Sequence, residues 1–307
     1  MNPRKATGVL LVVAALVLVA PQGLTATLPS PFATLTSTAS AAYAVQNAQA
    51  PPVTDNRSLG ERALDVNRVL AVDIGSRPAG SAAEREAASY LAQQFTEMGY
   101  AVEVVPFELR SGATSQNVVA QSKSEDPNLP IVIVGGHYDT VPAGPGANDN
   151  GSGTAATVEV ARQLSWFPVP NVNVRYVAFG AEEIGLLGSA AYVRTLSASD
   201  RSRVRLAMSL DMLAVGEEPE FAGTEPWVRA AMAFAASQGY SPRDATAEHR
   251  GLSDHQSFLD AGIPAVLFHA SPDPAYHTAR DVIERIQPIF LDLMGNIAIN
   301  LIRIASE

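Results

Sequence analysis

Short apolar runs alternate with amphipathic stretches along the chain from about residue 59 onward. The run over residues 131–134 is short and β-branched and is bounded by Pro130 and Gly135, a pattern that predicts a buried strand. The predicted strands cover residues 102–107, 117–120, 130–136, 172–179, 204–210 and 264–268. Apolar residues at helical spacing predict helices over residues 59–74, 82–98, 152–164, 189–196, 225–238 and 283–304.

Strands that are separated by helices favour an α/β fold in which helices cover both faces of a sheet. We therefore predict a three-layer α/β/α sandwich with a mainly parallel mixed sheet. Ser81, followed three positions later by Glu84, predicts a capping box at the start of one helix. The sequence contains no internal repeat, and residues 58–307 are expected to form a single domain.

The N-terminal segment has the features of an export signal. Arg4 and Lys5 precede an apolar run over residues 9–20, which Pro21 ends. A dozen apolar residues is shorter than the roughly 20 that a membrane span needs, so a bacterial-type signal peptide is favoured over an uncleaved anchor. We expect residues 1–26 to be removed, with cleavage as late as residue 44 left open, and residues 27–57 to be a disordered tether or pro-segment. The protein is thus expected to be secreted or extracytoplasmic.

Composition limits the partners and the chemistry. A net charge of −10 without a cluster of Lys and Arg argues against nucleic acid and against an anionic membrane surface. We expect a monomer with no stable membrane partner. The chain has no cysteine, which excludes disulfides, thiolate metal sites and a cysteine nucleophile. Any bound metal must therefore be held by His and carboxylate side chains.

Five candidate metal ligands lie at or just after the ends of predicted strands: His137, Asp149, Glu183, Asp211 and His277. Considered one at a time, most of them could equally be turn or helix-cap residues that bind no metal. Asp211 is harder to explain in that way, because it directly follows a buried apolar run and a buried carboxylate needs a partner. Two imidazoles and three carboxylates suit Zn²⁺, with Mn²⁺ or Co²⁺ as weaker fits, and a set of this size suggests two ions.

Five motifs that contain these residues occur in a fixed order: Gly136-His137-Tyr138-Asp139, Ala147-Asn148-Asp149-Asn150-Gly151-Ser152-Gly153, Phe179-Gly180-Ala181-Glu182-Glu183-Ile184-Gly185-Leu186-Leu187-Gly188-Ser189, Leu210-Asp211-Met212 and Tyr276-His277-Thr278. With them, the chain resembles the secreted co-catalytic di-zinc aminopeptidases, the bacterial leucine aminopeptidase-like zinc exopeptidases, from about residue 59 to its C-terminus. Each motif alone is weak, and the five together are specific.

The resemblance implies two Zn²⁺ per chain. Asp149 would bridge the ions, His137 and Asp211 would complete one site, and Glu183 and His277 would complete the other. The activity implied is that of a zinc aminopeptidase, a hydrolase that removes N-terminal residues from peptides with a free N-terminus by means of a water activated by two zinc ions.

The same resemblance implies roles around the ions. Glu182 would be the general base, and Asp139 would accept the second N–H of the His137 imidazole and fix its tautomer. Tyr276 would hydrogen-bond the oxyanion, with plain packing of its ring as the alternative.

Four further polar residues are expected to stay outside the ligand set. Asp254 and His255 match a family segment near the substrate pocket and are expected to be wall or buttress residues. His249 is expected to lie on the surface, and His269 to be structural.

Three alternatives remain. His137 to Pro142 also resembles the first motif of di-zinc carboxypeptidases, dipeptidases and deacylases. Those enzymes insert a domain of roughly a hundred residues between their ligands. Here Asp211 and His277 are 66 positions apart, with one predicted helix and one predicted strand between them. Glutaminyl cyclases share the fold but generally use one zinc, and a non-catalytic binding module would be expected to have lost ligands.

Overall fold

An eight-stranded mixed sheet lies at the centre of residues 55–307, the part of the chain that this computed structural model describes. The strands are β1 Ala101–Glu108, β2 Thr114–Gln121, β3 Ile131–His137, β4 Asn173–Phe179, β5 Val204–Leu210, β6 Glu218–Gly223, β7 Arg243–Asp244 and β8 Ala265–Ser271. Their order across the sheet is β1-β2-β4-β3-β5-β8-β6-β7. The predicted signal peptide and nearly all of the predicted tether lie outside the described residues.

The middle of the sheet is parallel, since β4, β3, β5 and β8 are parallel neighbours. The strands β1 and β2 are added to it in antiparallel pairings, and β6 pairs antiparallel with β8. In a parallel sheet the carboxyl ends of the strands lie at one edge. The polar candidate residues at the ends of β3, β4 and β5 therefore lie at the same edge of the sheet.

Helices cover both faces of the sheet. They are α1 Leu59–Arg68, α2 Ala82–Glu97, α3 Gly153–Trp166, α4 Leu187–Thr195, α5 Ala198–Arg203, α6 Glu225–Ser237, α7 His255–Asp260 and α8 Pro288–Ala305. Alternate residues of β3 belong to different cores: Val132 and Val134 pack with α1, α3 and α8, whereas Ile131 and Ile133 pack with α4 and α7. This alternation is the two-residue period of a strand that is buried on both faces. The predicted three-layer α/β fold is confirmed.

Several short elements escaped prediction. The stretch between Asp211 and His277 contains β6, α6, β7, α7 and β8, which is two helices and three strands rather than one of each. The strand β7 has two residues and α7 has six, too few for either period to be visible in the sequence. The last helix begins at Pro288 and not at residue 283, because residues Ile283–Arg285 form a separate 3₁₀ turn.

The predicted capping box is half correct. Ser81 Oγ accepts the backbone N–H of Glu84 at 3.0 Å, as expected. The Glu84 carboxylate, however, accepts from Gly80 N at 2.6 Å and from Ser115 Oγ, and it is fully buried against β2. Burial raises the pKa of Glu84 to about 7. A complete capping box lies instead at α1, between Ser58 and Glu61.

The helix α8 is long and apolar enough to cross a membrane by length and composition alone, and it is the one helix of the described residues that meets this test. In the folded chain 61% of that apolar window is buried. Leu291, Ile297 and Leu301 are fully buried in the same core as α1 and α3.

Arg77 is a fully buried cation that ties the loop after β3 to the N-terminal helices. Its guanidinium donates to five backbone carbonyls, those of Leu70, Gly75, Tyr138, Pro145 and Gly146, at 2.6–3.2 Å. Burial lowers the pKa of Arg77 to about 10. The loop that leads from His137 toward Asp149 is therefore held by one side chain through its backbone.

We expect Arg77→Lys to lower the free energy of unfolding by about 2–4 kcal/mol, because an ammonium cannot reproduce the planar fork and leaves buried carbonyls without donors. Guanidinium unfolding measures the difference. The matched control is Arg85→Lys, since Arg85 is exposed and its guanidinium donates to the single carbonyl of Gly80; a change within about 0.5 kcal/mol is expected there. Equal effects of the two substitutions would contradict the assigned role of Arg77.

Candidate metal centre and active site

The five predicted ligands converge at the carboxyl edge of the sheet. His137 is the last residue of β3, and Asp211 directly follows β5. Glu183 lies in the turn between β4 and α4, and His277 lies in the loop after β8. Asp149 comes from the segment Ala147–Ser152, which leads into α3.

Asp149 lies between the two histidines. Its Oδ1 is 3.3 Å from His137 Nε2, and its Oδ2 is 3.1 Å from His277 Nε2. Asp211 Oδ1 is 3.4 Å from His137 Nε2, and Glu183 Oε2 is 3.0 Å from His277 Nε2. The donor atoms thus form two groups that share one carboxylate, with a different oxygen of Asp149 facing each group.

The donor set fits divalent cations. Asp149 Oδ2 and Asp211 Oδ1 are buried and have no hydrogen-bond partner among the described residues. Buried carboxylates without hydrogen bonds are costly unless a cation compensates them. Carboxylates and imidazoles are also the ligands that zinc takes when no thiolate is present. His137, Asp149 and Asp211 on one side and His277, Asp149 and Glu183 on the other are therefore the residues that would hold metal ions.

Crowding of negative charge shifts the protonation of these groups. Burial and the charge of Asp211 raise the pKa of Glu182 to about 10, and burial and the charge of Asp149 raise the pKa of Glu183 to about 7. Burial opposes protonation of His137, but the charges of Glu182 and Asp211 raise its pKa well above the ordinary value. The cluster therefore attracts positive charge, either protons or metal ions, and the two compete.

The backbone path of the Asp149 segment depends on two glycines. Gly146 has a left-handed conformation with φ of 60°. A Cβ on Gly153 would lie 1.9 Å from the carbonyl oxygen of Leu210, so the segment can approach β5 this closely only without a side chain there. The Asp149–Asn150 peptide is cis. This path returns Asp149 to the side of His137.

Asp281 positions the Asp149 segment and was not predicted. Its carboxylate accepts the backbone N–H of Asn148 at 2.7 Å and that of Asp149 at 2.9 Å. Burial raises the pKa of Asp281 to about 6. In the sequence, Asp281 is visible only as an aspartate four positions after His277. Its role could not be predicted, because it depends on the loop folding back on residues 148 and 149.

Asp139 lies beside His137 but makes different hydrogen bonds from those expected. Its carboxylate accepts the backbone N–H groups of Glu182 at 2.9 Å and Glu183 at 3.3 Å. His137 Nδ1 is 3.6 Å from the carboxylate and 3.2 Å from the backbone carbonyl oxygen of Asp139. Because a carbonyl only accepts, Nδ1 carries the proton and Nε2 is left with its lone pair toward Asp149 and Asp211. The tautomer is thus set by the backbone of Asp139, while its side chain holds the Glu182–Glu183 turn.

Tyr276 is half exposed, with 51% of its surface accessible. Its ring stacks on that of His277 at a centroid distance of 3.8 Å. Burial of one side raises the pKa of the phenol, which therefore keeps its proton.

Asp254 and His255 are buried at the start of α7. Burial raises the pKa of Asp254 to about 7 and lowers that of His255 to about 4. His249 was expected to lie on the surface, but it is mostly buried: only 17% of its side chain is exposed, and its Nε2 lies 2.8 Å from Glu220 Oε2. His269, expected to be structural, packs its ring against that of His249.

The predicted site residues line one cavity of about 280 Å³. Its polar wall contains His137, Asp149, Glu182, Glu183, Asp211 and His277. Its other walls contain Met212, His249, Leu252, Ser253, Leu267, His269, Asp273 and Tyr276. The catalytic and ligand candidates therefore face one shared space.

The signature of Peptidase family M28 matches residues 117–302, which is more than half of the chain and includes every predicted ligand. The chain belongs to this peptidase family. Aminopeptidase YwaD of Bacillus subtilis (strain 168) is 38% identical over 199 residues, covering 60% of this chain and 43% of that protein. The probable lipoprotein aminopeptidase LpqL of Mycobacterium tuberculosis (strain ATCC 25618 / H37Rv) is 33% identical over 220 residues, covering 59% of this chain and 43% of that protein.

The fold matches that of BSAP, a zinc aminopeptidase from Bacillus subtilis, with a TM-score of 0.72 at 22% identity. That match covers 80% of this chain and 96% of the BSAP chain. The chain spans less than half the length of the two curated relatives named above. These comparisons establish the family and the fold of the chain.

We expect Asp281→Asn to lower zinc affinity roughly 10–100-fold, because an amide cannot accept both N–H groups that position Asn148 and Asp149. Competition with a chromogenic chelator measures the affinity. The control is Asp260→Asn, an identical change at an exposed aspartate that bonds only to Gln256 in this structure. Unchanged affinity in the Asp281 variant, with the fold intact, would remove Asp281 from the support of the site.

Proposed function

We propose that the chain is a metal-dependent exopeptidase that hydrolyses N-terminal residues from peptides with two zinc ions. The single observation that carries the proposal is the position of Asp149, whose two oxygens face His137 and His277 at 3.3 Å and 3.1 Å. A carboxylate shared in this way is what a two-ion site requires. The named aminopeptidases among the relatives support the same reaction class.

Zinc would be held by His137, Asp149 and Asp211 in one site and by His277, Asp149 and Glu183 in the other. When bound, zinc supplies Lewis-acid polarisation of the peptide carbonyl and lowers the pKa of water.

Glu182 is the proposed general base. Its carboxylate faces the cavity, 3.9 Å from His137 Nε2, and its backbone N–H is held by Asp139. In this place it takes a proton from the attacking water and delivers it to the leaving amine. Glu182 also lies close enough to His137 and Asp211 to be a ligand itself. Zinc content therefore has to be measured together with turnover.

Tyr276 is the proposed hydrogen-bond donor to the developing oxyanion. Its hydroxyl keeps its proton, and the ring reaches the cavity from the mouth, beside His277. A donor placed where charge develops stabilises the transition state more than the ground state.

The lining of the cavity supports the exopeptidase assignment. None of the described residues that line this space of about 280 Å³ is a Lys or Arg, so no guanidinium or ammonium group is placed there to bind a C-terminal carboxylate. A substrate that enters with its free N-terminus is therefore favoured.

The proposed setting is extracytoplasmic. The predicted signal peptide and the name of the lipoprotein relative support it. We also propose a monomer that acts on free peptides with no nucleic acid and no stable membrane partner, in keeping with the net charge of −10.

Glu182→Gln is expected to keep both zinc ions and to lose roughly 10²–10⁴-fold in turnover, because the base is removed and the ligands are not. The matched control is Glu183→Gln, the same change one position along, which should lose zinc and activity together. Metal analysis and initial rates are measured on both variants. Full activity of Glu182→Gln would refute the base role, and loss of zinc from it would make Glu182 a ligand.

A substrate panel tests whether the enzyme recognises the N-terminus or the C-terminus of the peptide. Amino-acid anilides and a C-blocked dipeptide should be hydrolysed, whereas an N-blocked dipeptide should not, because the proposed activity requires a substrate whose N-terminal amine is free. Cleavage of the N-blocked dipeptide alone would indicate a carboxypeptidase. A requirement for two free termini would indicate a dipeptidase, and cyclisation of a peptide with N-terminal Gln would indicate a glutaminyl cyclase.

A further inference from the structure

A second group of metal-binding side chains lies beside the cavity, outside the proposed zinc ligands, and its two histidines line the cavity. It consists of Glu220 on β6, His269 on β8 and His249 in the loop between β7 and α7. Glu220 and His269 are direct partners in the antiparallel pairing of β6 with β8. Their side chains therefore stand on the same face of the sheet.

The donor atoms of this group are as close together as those of the proposed zinc centre. His249 Nε2 is 2.8 Å from Glu220 Oε2, and the rings of His249 and His269 are 4.6 Å apart at an angle of 53°. One donor atom of each residue lies within 4.8 Å of the other two, a limit that His137, Asp149 and Glu183 also meet. Small side-chain rotations would bring these donor atoms to about 2.0–2.2 Å from a shared ion, the usual metal–ligand distance.

Neighbouring groups orient each of two ligands toward the cluster. His269 Nδ1 is 3.1 Å from the backbone carbonyl oxygen of Asp211, so Nδ1 donates and Nε2 keeps its lone pair. Glu220 Oε1 accepts from Arg243 and from Ser271, which leaves Oε2 for the cluster. Burial opposes ionisation of Glu220, but the hydrogen bonds from Ser271, His249 and Arg243 lower its pKa to about 2. Outer hydrogen bonds of this kind are a regular part of metal sites.

A simple ion pair explains less of this arrangement. Glu220 is already paired with Arg243, so the approach of His249 is not required to balance its charge. The lone pair of His269 Nε2 has no hydrogen-bond donor among residues 55–307, although both His249 and His269 border the cavity. Two imidazoles and one carboxylate with an open side toward solvent are a common set for zinc.

We propose that Glu220, His249 and His269 form a third cation site that takes Zn²⁺ or Co²⁺ at the wall of the substrate cavity. The site binds more weakly than the proposed two-ion centre, because Arg243 offsets the charge of its only carboxylate. An ion held there narrows the space that the substrate enters, so zinc in excess of the tight sites inhibits the enzyme.

The test is a metal titration of the full chain that does not depend on activity. Equilibrium dialysis with metal analysis gives the number of Zn²⁺ ions, and the absorption of Co²⁺ gives the coordination of the last one bound. We expect His249→Ala and Glu220→Gln to bind one ion fewer than the wild-type chain at zinc concentrations that fill all sites. The affinity lost should exceed the roughly 10–100-fold typical of an outer-sphere partner.

Glu248→Gln is the matched control, because Glu248 pairs with the same arginine but is exposed and outside the cluster; it should bind as many ions as the wild type. Equal ion numbers in the wild type and His249→Ala would overturn the proposal. His249 is at the edge of the cavity, so its variant serves if the buried Glu220 variant does not fold. Failure of the two-ion centre would lower every total equally and leave the difference of one ion between wild type and His249→Ala.

Discussion

Repulsion among buried carboxylates is the constraint on which the rest of the structure depends. Asp149, Glu182, Glu183 and Asp211 meet at one edge of the sheet with little access to water. Four ionised carboxylates at these distances would destabilise the folded chain, so protons, metal cations or hydrogen-bond donors must compensate their charge. Among the described residues one backbone donor reaches this group, the N–H of Val141, which lies 3.2 Å from Glu183 Oε1. The other oxygens face the imidazoles and any metal.

The supporting carboxylates show how this is arranged. Asp139 and Asp281 each accept two backbone N–H groups, and each thereby holds a segment that carries a proposed ligand or the proposed base. The site is therefore built of two layers of acidic groups with different tasks. Inner groups present lone pairs to the cavity, and outer groups satisfy the backbone of the turns on which the inner groups stand.

Much of the site could be predicted because its residues lie in short local motifs at strand ends. An apolar run followed by His137, or by Asp211, indicates both the strand and the place of the polar residue in an α/β sheet. The hydrogen bonds of Asp139 and Asp281 could not be predicted, since they depend on loops that fold back across tens of residues. The Glu220, His249 and His269 cluster escaped for a related reason. It depends on the register of β6 against β8, and β6 and β7 are too short or too polar to be recognised.

The Arg77 guanidinium binds the loop after β3 through the main-chain oxygens of Tyr138, Pro145 and Gly146, and every amino acid possesses such an oxygen. Side chains at residues 141–143 can consequently be exchanged without loss of these three hydrogen bonds, provided that the backbone course is kept. Gly144 is different, because a Cβ there would lie 2.3 Å from the carbonyl oxygen of Thr278. The exposed surface of this loop is thus free to diversify in shape and polarity while the spacing between His137 and Asp149 stays constant. Variation of the surface and preservation of the frame of the proposed metal centre are in this way assigned to different atoms of the same loop.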